Sequence, residues 1–381
     1  MRKLFLLLFV CCLSVNTTAS PIQTIEIDSK VVRHKLNVSV LLPDSYQAEG
    51  VTTELTELKR YPVLYTRSSD RRLALLKAQV DWLSHVQFAP FFESIIVVLP
   101  DVVDGGDMDK FVKAAGSADK LAIEIYQTDI IPYIDQHFRT QPFRMIEGFS
   151  TAANQILSIF LQQPSLFHLY MAFSPALALD KSNIVKGFQH IGLNEVYRNR
   201  ALYLNLGSFA ENREPFEQLK NALETMQTHQ SGLKIYTEDL SQHNYLSGPV
   251  VGLVHAGEKL LADRFPAIEQ FEQSGTKGVK HYFTELERRY GFEINSQNSL
   301  IDLAYFYVSL QRFDDAQNVM LEMLQNEPTS VFLHTRLADV QKQSGNLVQA
   351  RETLKRGLTL ARQAQNTEAV SYIQARIKEL N

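Results

Sequence analysis

The sequence predicts a doubly wound α/β domain followed by an all-α region, and three observations lead there. Short apolar runs alternate with amphipathic stretches from about residue 24 to 265. Some of these runs, such as Ser94–Leu99 (SIIVVL), are continuous and largely β-branched, as interior strands covered on both faces are. Beyond Phe265 no strand-like run remains, and QRFDDAQNVMLEML matches GNLVQARETLKRGL at an offset of 34 residues.

The elements follow in order. Thr24–Ile27 and His34–Leu42 read as strands. In the second, Leu36, Val38 and Val40 alternate with Lys35, Asn37 and Ser39, which gives one dry face and one wet face. Tyr61–Thr66 and Ser94–Leu99 read as interior strands. Between them Arg72–Val86 has helical spacing and carries the only tryptophan, Trp82. Asp119–Phe138 predicts one long helix with Ile123, Tyr126, Ile130 and Ile134 on its apolar face and a kink at Pro132. Phe143–Glu147 reads as a strand, Gly148–Ala152 as a sharp turn, and the apolar stretch to Gln162 as a helix. Leu169–Phe173 is the next strand, and Ile184–His190 a helical or irregular link. Ala201–Leu206 and Leu233–Tyr236 read as strands, with Pro215–Thr228 a helix between them and Val250–Arg264 a helix after them.

In the all-α region the offset pairs Phe313 with Leu347, Ala316 with Ala350, Met320 with Leu354 and Leu324 with Leu358. That is the tetratricopeptide period, and small alanines suit places where two helices approach closely. The expected repeats are 298–328 and 331–362, with Glu368–Leu380 as a terminal helix over the last apolar face. Two repeats are few for independent stability, so the region is expected to pack on the α/β domain or on a protein partner.

Lysine and arginine number 38 against 42 acidic residues, a net charge of −4 with no basic block, so no nucleic-acid surface is expected. Met1–Ala19 has the outline of a secretion signal: Arg2 and Lys3, the apolar run Leu4–Leu13, then Thr17-Thr18-Ala19. An exported chain, periplasmic or secreted, is expected, with a mature domain from 20 to 265, a helical region from 266 to 381 and no membrane span. Both cysteines, Cys11 and Cys12, fall inside the signal. A mature chain without them has no thiol nucleophile, no cysteine metal site and no disulfide.

The chemistry centres on Gly148-Phe149-Ser150-Thr151-Ala152. A serine on a strand-to-helix turn is pushed out at the strand's carboxyl end, where the helix N-terminus favours a developing anion. The same serine also fits a plain helix N-cap. A hydroxyl nucleophile needs a base, and His243 lies in a polar loop after the last strand, where a Ser…acid…His order puts it. The loop after Leu206 supplies the acid, Glu211, with Glu214 as the other candidate. The oxyanion would take the N–H of Thr151 and a second donor around Arg67 and Ser68.

With these pieces in place, the chain resembles the esterases of the α/β-hydrolase superfamily that include esterase D and the enterochelin and ferri-siderophore esterases. The resemblance rests on VSVLLPDSY (38–46), YPVLYTRSSD (61–70), IIVVLPDV (95–102), IIPYIDQHFRTQPFRMIEGFSTAA (130–153), FSPAL (173–177), LYLNLGSFAEN (202–212) and the histidine loop (238–248). It implies a Ser150–His243 pair with Glu211 as third member, carboxylic ester or thioester substrates, and no metal or organic cofactor. Three positions depart from the family pattern: Thr66-Arg67-Ser68-Ser69-Asp70 in place of L-L-D-G, G-F-S-T-A-A in place of G-H-S-x-G-G, and Asn244-Tyr245 after the histidine. These departures leave open a second reading, a weak or silent scaffold that binds a ligand or protein through its helical repeats.

Overall fold

The computed structural model describes residues 22–48, 59–67, 70–86, 89–99, 108–179, 183–192, 195–230 and 232–380. The signal segment with both cysteines lies outside the described residues, as does Ser68. Among the described residues eight strands form one sheet: β1 (Gln23–Asp28), β2 (Lys35–Leu41), β3 (Tyr61–Thr66), β4 (Ile95–Val98), β5 (Thr140–Phe149), β6 (Leu169–Phe173), β7 (Ala201–Gly207) and β8 (Lys234–Leu240). Their order across the sheet is β1-β2-β4-β3-β5-β6-β7-β8. β1–β2 and β2–β4 pair antiparallel, and every pair from β4–β3 to β7–β8 is parallel. β3, β4 and β6 are buried along their whole length, which explains their unbroken apolar sequences.

The helices fall on both faces. On one lie α3 (Met108–Ala115), α4 (Ala118–Ile125), α5 (Ile131–His137), α6 (Thr151–Gln162), α7 (Ile184–Gln189) and α8 (Arg213–His229), after the single turn α1 (Ser45–Ala48). Their apolar side chains, such as Leu121, Ile134, Phe160, Phe188 and Phe216, share a core with Val38, Tyr65, Ile146 and Tyr170. On the other face α2 (Asp70–Ser84), α9 (Gly248–Leu260) and α10 (Gly275–Tyr290) cover Leu64, Ile96, Met145, Met171 and Tyr203.

Three elements differ from the sequence reading. The expected helix Asp119–Phe138 is interrupted by a wider turn at Tyr126–Ile130, where the N–H of Ile131 reaches back to the Tyr126 carbonyl. Pro132 follows as one of the first residues of α5, so the chain widens ahead of the proline instead of simply kinking there. The turn carries buried Asp129, whose carboxylate accepts from Ser29 Oγ, Lys30 N and Val31 N and so holds the β1–β2 connection. β5 begins earlier than expected, because its pairing with β3 shifts register between Tyr61 and Val63 and thereby tolerates Pro142. β8 runs on to Leu240; as an edge strand it is half exposed, so its polar Thr237-Glu238-Asp239 carries no apolar signal.

After α10 the chain forms two helical hairpins, α11 (Gln297–Ser309) with α12 (Phe313–Asn326) and α13 (Val331–Gln343) with α14 (Leu347–Gln363), then α15 (Thr367–Glu379). Both helices of the second hairpin start 34 residues after their counterparts. Ala304, Ala316, Ala338 and Ala350 are all buried. This region packs on the sheet: one continuous core runs from Phe143 and Met145 through Phe283 and Tyr290 to Leu303, Met320 and Leu337. Phe92 lies 5.6 Å from Phe143, Tyr290 and Phe292, ring centre to ring centre. Beside them Asp263 accepts from Lys234 Nζ (2.6 Å), Tyr290 Oη (2.6 Å) and Arg289. Burial pushes the Asp263 carboxyl up, but Lys234, Tyr290 and Arg289 outweigh it and hold the carboxyl below its ordinary range.

Ending the chain after Arg264 therefore removes Arg289 and Tyr290 from Asp263 and uncovers Phe92 and Phe143. The truncated protein is expected to aggregate; a soluble monomer in size-exclusion chromatography would contradict this.

His168 opens β6 with its ring against Phe143 (5.2 Å), and its Nδ1 accepts from the Arg144 N–H (3.2 Å). Burial, with Arg200 and Arg144 nearby, pushes its pKa from 6.5 down to about 3. The unfolded chain therefore takes up this proton first, so the contribution is complete above pH 6.5 and is lost as pH falls toward 3. Each unit in that window costs about 1.4 kcal/mol. His168→Asn keeps an acceptor for Arg144 and is expected to flatten the acid limb of a denaturant-midpoint-versus-pH curve.

Candidate active site

β5 delivers Ser150 to the carboxyl edge of the sheet, and α6 starts at the next residue. Ser150 has φ 60° and ψ −123°, a conformation that L-residues rarely adopt and that costs on the order of 1–3 kcal/mol. Its surroundings hold it there. Its N–H donates to Phe173 O (3.1 Å), and its carbonyl accepts from Asn154 N and Ala176 N, both at 3.3 Å. The turn closes tightly because residue 148 is glycine: a Cβ there would lie 2.8 Å from the Ala152 backbone and 2.9 Å from Ile156. The Ser150 hydroxyl makes no capping hydrogen bond to α6. An N-cap serine sits in the extended region and accepts from the first turn, and Ser150 does neither.

His243 follows β8 and is exposed. Its main chain is fixed, with N–H to Leu240 O (2.8 Å) and carbonyl accepting from Ser208 N (3.0 Å). Tyr245, two residues on, packs between Phe149 (4.8 Å) and Phe209 (5.1 Å) and donates its hydroxyl to Ser174 O (3.2 Å). The Ser150 turn, the loop after β7 and the histidine loop thus meet at one edge. Among the described residues the His243 imidazole has no hydrogen-bond partner.

Both candidate acids lie at the surface. Glu211 lies in the single turn Ala210–Asn212 and is exposed, with no hydrogen bond to His243. The inward position of that turn belongs to fully buried Asn212, whose Oδ1 accepts from Ala178 N (2.8 Å). Glu214 is also exposed and accepts from Gln218 (3.3 Å). Asp239, nearby on β8, is taken up by Arg213 at 2.8 and 3.2 Å.

On the oxyanion side, Thr151 is the first residue of α6, so its N–H has no acceptor within the helix. Arg67, at the end of β3, donates from Nη1 to Gln155 Oε1 (3.0 Å) on the same helix. Beneath them buried Glu147 accepts from Thr66 Oγ1 and Arg72, which ties the start of the Arg67 loop to the serine strand. Among the described residues no group of three or more His, Cys, Asp or Glu is arranged to hold a metal ion.

Sequence reasoning passed over two groups here, Glu147 and Asn205. Asn205 is the one amide in ALYLNL, and Glu147 is the one carboxylate in FRMIEGF, where Arg144 is the other charged residue; a polar group inside an interior strand is a usable signal, because burial requires it to have a partner.

A methyl at residue 148 has no place to go. Gly148→Ala is expected to lower stability by about 1–3 kcal/mol and to displace Ser150, which a thermal melt and a serine-reactive probe would show together.

A family model described as "Putative esterase" matches residues 29–243. Comparison with curated proteins gives no match. An uncharacterised protein from Capnocytophaga ochracea has the same fold at 12% identity and TM-score 0.61, with 94% of this chain and 99% of that one covered. An IroE-like serine hydrolase from Shewanella oneidensis is similar at 15% identity and TM-score 0.58, over 81% of this chain and 99% of that one. Among the described residues no helix is long and apolar enough to cross a membrane. With its matched segment running from the first strand connection to His243 itself, the chain belongs to the esterase family, the carboxylic ester hydrolases of the α/β-hydrolase fold.

Proposed function

We propose that the protein is an exported serine esterase in which Ser150 attacks the carbonyl of a carboxylic ester or thioester and His243 is the general base. The observation that carries this reading is the Ser150 backbone. It is held at positive φ on a strand-to-helix turn, with its hydroxyl not spent on capping the helix. His243 takes the hydroxyl proton as the tetrahedral adduct forms and returns it to the leaving alcohol or thiol. Thr151 N–H and the α6 N-terminus receive the oxyanion. Water, deprotonated by the same imidazole, then releases the acyl group from Ser150. The residues 1–19 support export as a signal peptide. The hairpins from α11 to α14 support a tetratricopeptide-like module able to receive a protein partner.

A second reading, a weak or silent scaffold, is favoured by one observation: among the described residues the His243 imidazole has no carboxylate partner, and Glu211 is exposed. The two separate in a single experiment. The wild-type protein is expected to be labelled by a fluorophosphonate and to hydrolyse p-nitrophenyl acetate, and Ser150→Ala to abolish both. Equal behaviour of the two proteins would leave the scaffold reading standing.

A further inference from the structure

One buried side-chain amide joins the serine side of the site to the histidine side. Asn205, on β7, is fully buried. Its Oδ1 accepts from Ser174 N (2.9 Å), at the end of β6, where Phe173 O and Ala176 N hold the Ser150 backbone. Its Nδ2 donates to Gly248 O (2.9 Å), the residue that ends the histidine loop and begins α9. The two partners fix the amide's orientation, since an N–H must meet the oxygen and a carbonyl must meet the nitrogen.

The surroundings are built for this bridge. Three glycines press on it, and none has room for a Cβ. At Gly252 a Cβ would lie 2.3 Å from Asn205 Nδ2, and at Gly248 2.4 Å from Ser174 Oγ; at Gly207 it would lie 2.9 Å from the Tyr245 backbone. Ser174 is itself at φ 42°, and its Oγ accepts from Gly207 N (3.0 Å). Farther from the loop, Asn205 Nδ2 also reaches Tyr203 Oη (3.3 Å), which donates to Glu238 (2.6 Å). Glu238 in turn meets His255 Nδ1 at 2.7 Å.

We infer that Asn205 is a positioning residue for catalysis: through Ser174 and Gly248 it sets the distance between Ser150 and the loop that carries His243. This inference rests on the proposed Ser150–His243 chemistry. The imidazole is exposed and makes no hydrogen bond among the described residues, so its placement there comes from its main chain. That main chain is tied down by Ser208 N, Tyr245 Oη and the Asn205 bridge. Aspartate at 205 keeps the shape and the acceptor but cannot donate to Gly248 O, so the loop end loses its tie. A misplacement of about 1 Å in such an arrangement is enough to lower the rate about a hundredfold.

The test compares wild type, Asn205→Asp and Tyr203→Phe in fluorophosphonate labelling, in p-nitrophenyl acetate kinetics and in thermal melts. Asn205→Asp is expected to label and turn over about a hundredfold more slowly with KM within a few-fold of wild type. Tyr203→Phe, which keeps both bonds of the bridge and removes the hydroxyl that links Asn205 Nδ2 to Glu238, is expected to stay within a few-fold of wild type in rate. A purely structural role would lower the melting temperature of Asn205→Asp while leaving kcat per folded molecule unchanged, and that result overturns the inference. An equal loss of rate in both variants overturns it as well. If Asn205→Asp does not fold, Gly248→Ala pushes on Ser174 Oγ instead, and a wild-type labelling rate for it counts against the bridge. A wild type that does not label removes the serine-esterase reading itself, a different outcome from a labelled wild type with an unaffected Asn205→Asp.

Discussion

The carboxyl edge of the sheet depends on one close approach, that of β5 to the start of α6 at Gly148. Where no side chain fits, strand and helix can meet within a single residue. That residue, Ser150, must then take a backbone conformation that its neighbours enforce through three main-chain hydrogen bonds. The strain is local, and its cost is met by a core that fills both faces of the sheet. Ser150 thus reaches the edge of the sheet as a by-product of packing, and the proposed chemistry draws on that placement.

The histidine side of the edge is built by other means. Among the described residues nothing grips the His243 imidazole, but the loop that carries it is tied at several points by neutral groups: a backbone amide, a tyrosine hydroxyl and an asparagine side chain. Interactions of that kind, made between uncharged groups, are insensitive to ionic strength. The nearby charges are committed elsewhere, Asp239 to Arg213 and Glu147 to Arg72.

Much of this was legible in the residues. The interior strands β3, β4 and β6 announce themselves as unbroken apolar runs, and the two helical hairpins through their 34-residue offset. The serine turn was legible as well, because glycine, serine and a following apolar helix leave few alternatives. What sequence could not supply was direction within a turn. Glu211 and Asn212 are adjacent, and only the fold decides that the amide points inward and the carboxylate outward. The same limit hid Asn205, whose role lies in two partners 31 and 43 residues away. The length of β8 was obscured for a different reason: an edge strand with polar residues looks like a loop.

The shared core of sheet and hairpins also bears on the order in which the chain assembles. α11 to α14 are made of neighbours in sequence and form from local contacts, whereas β3 pairs with β5 across some eighty residues. α2 and α9 cover part of this sheet face, and the surface around Phe92 and Phe143 stays open until α10 and the hairpins, all beyond residue 265, follow. A chain that emerges from its amino end therefore holds an unfinished apolar surface until its final third is present. Covering that surface falls to α10 and the hairpins, which share its core.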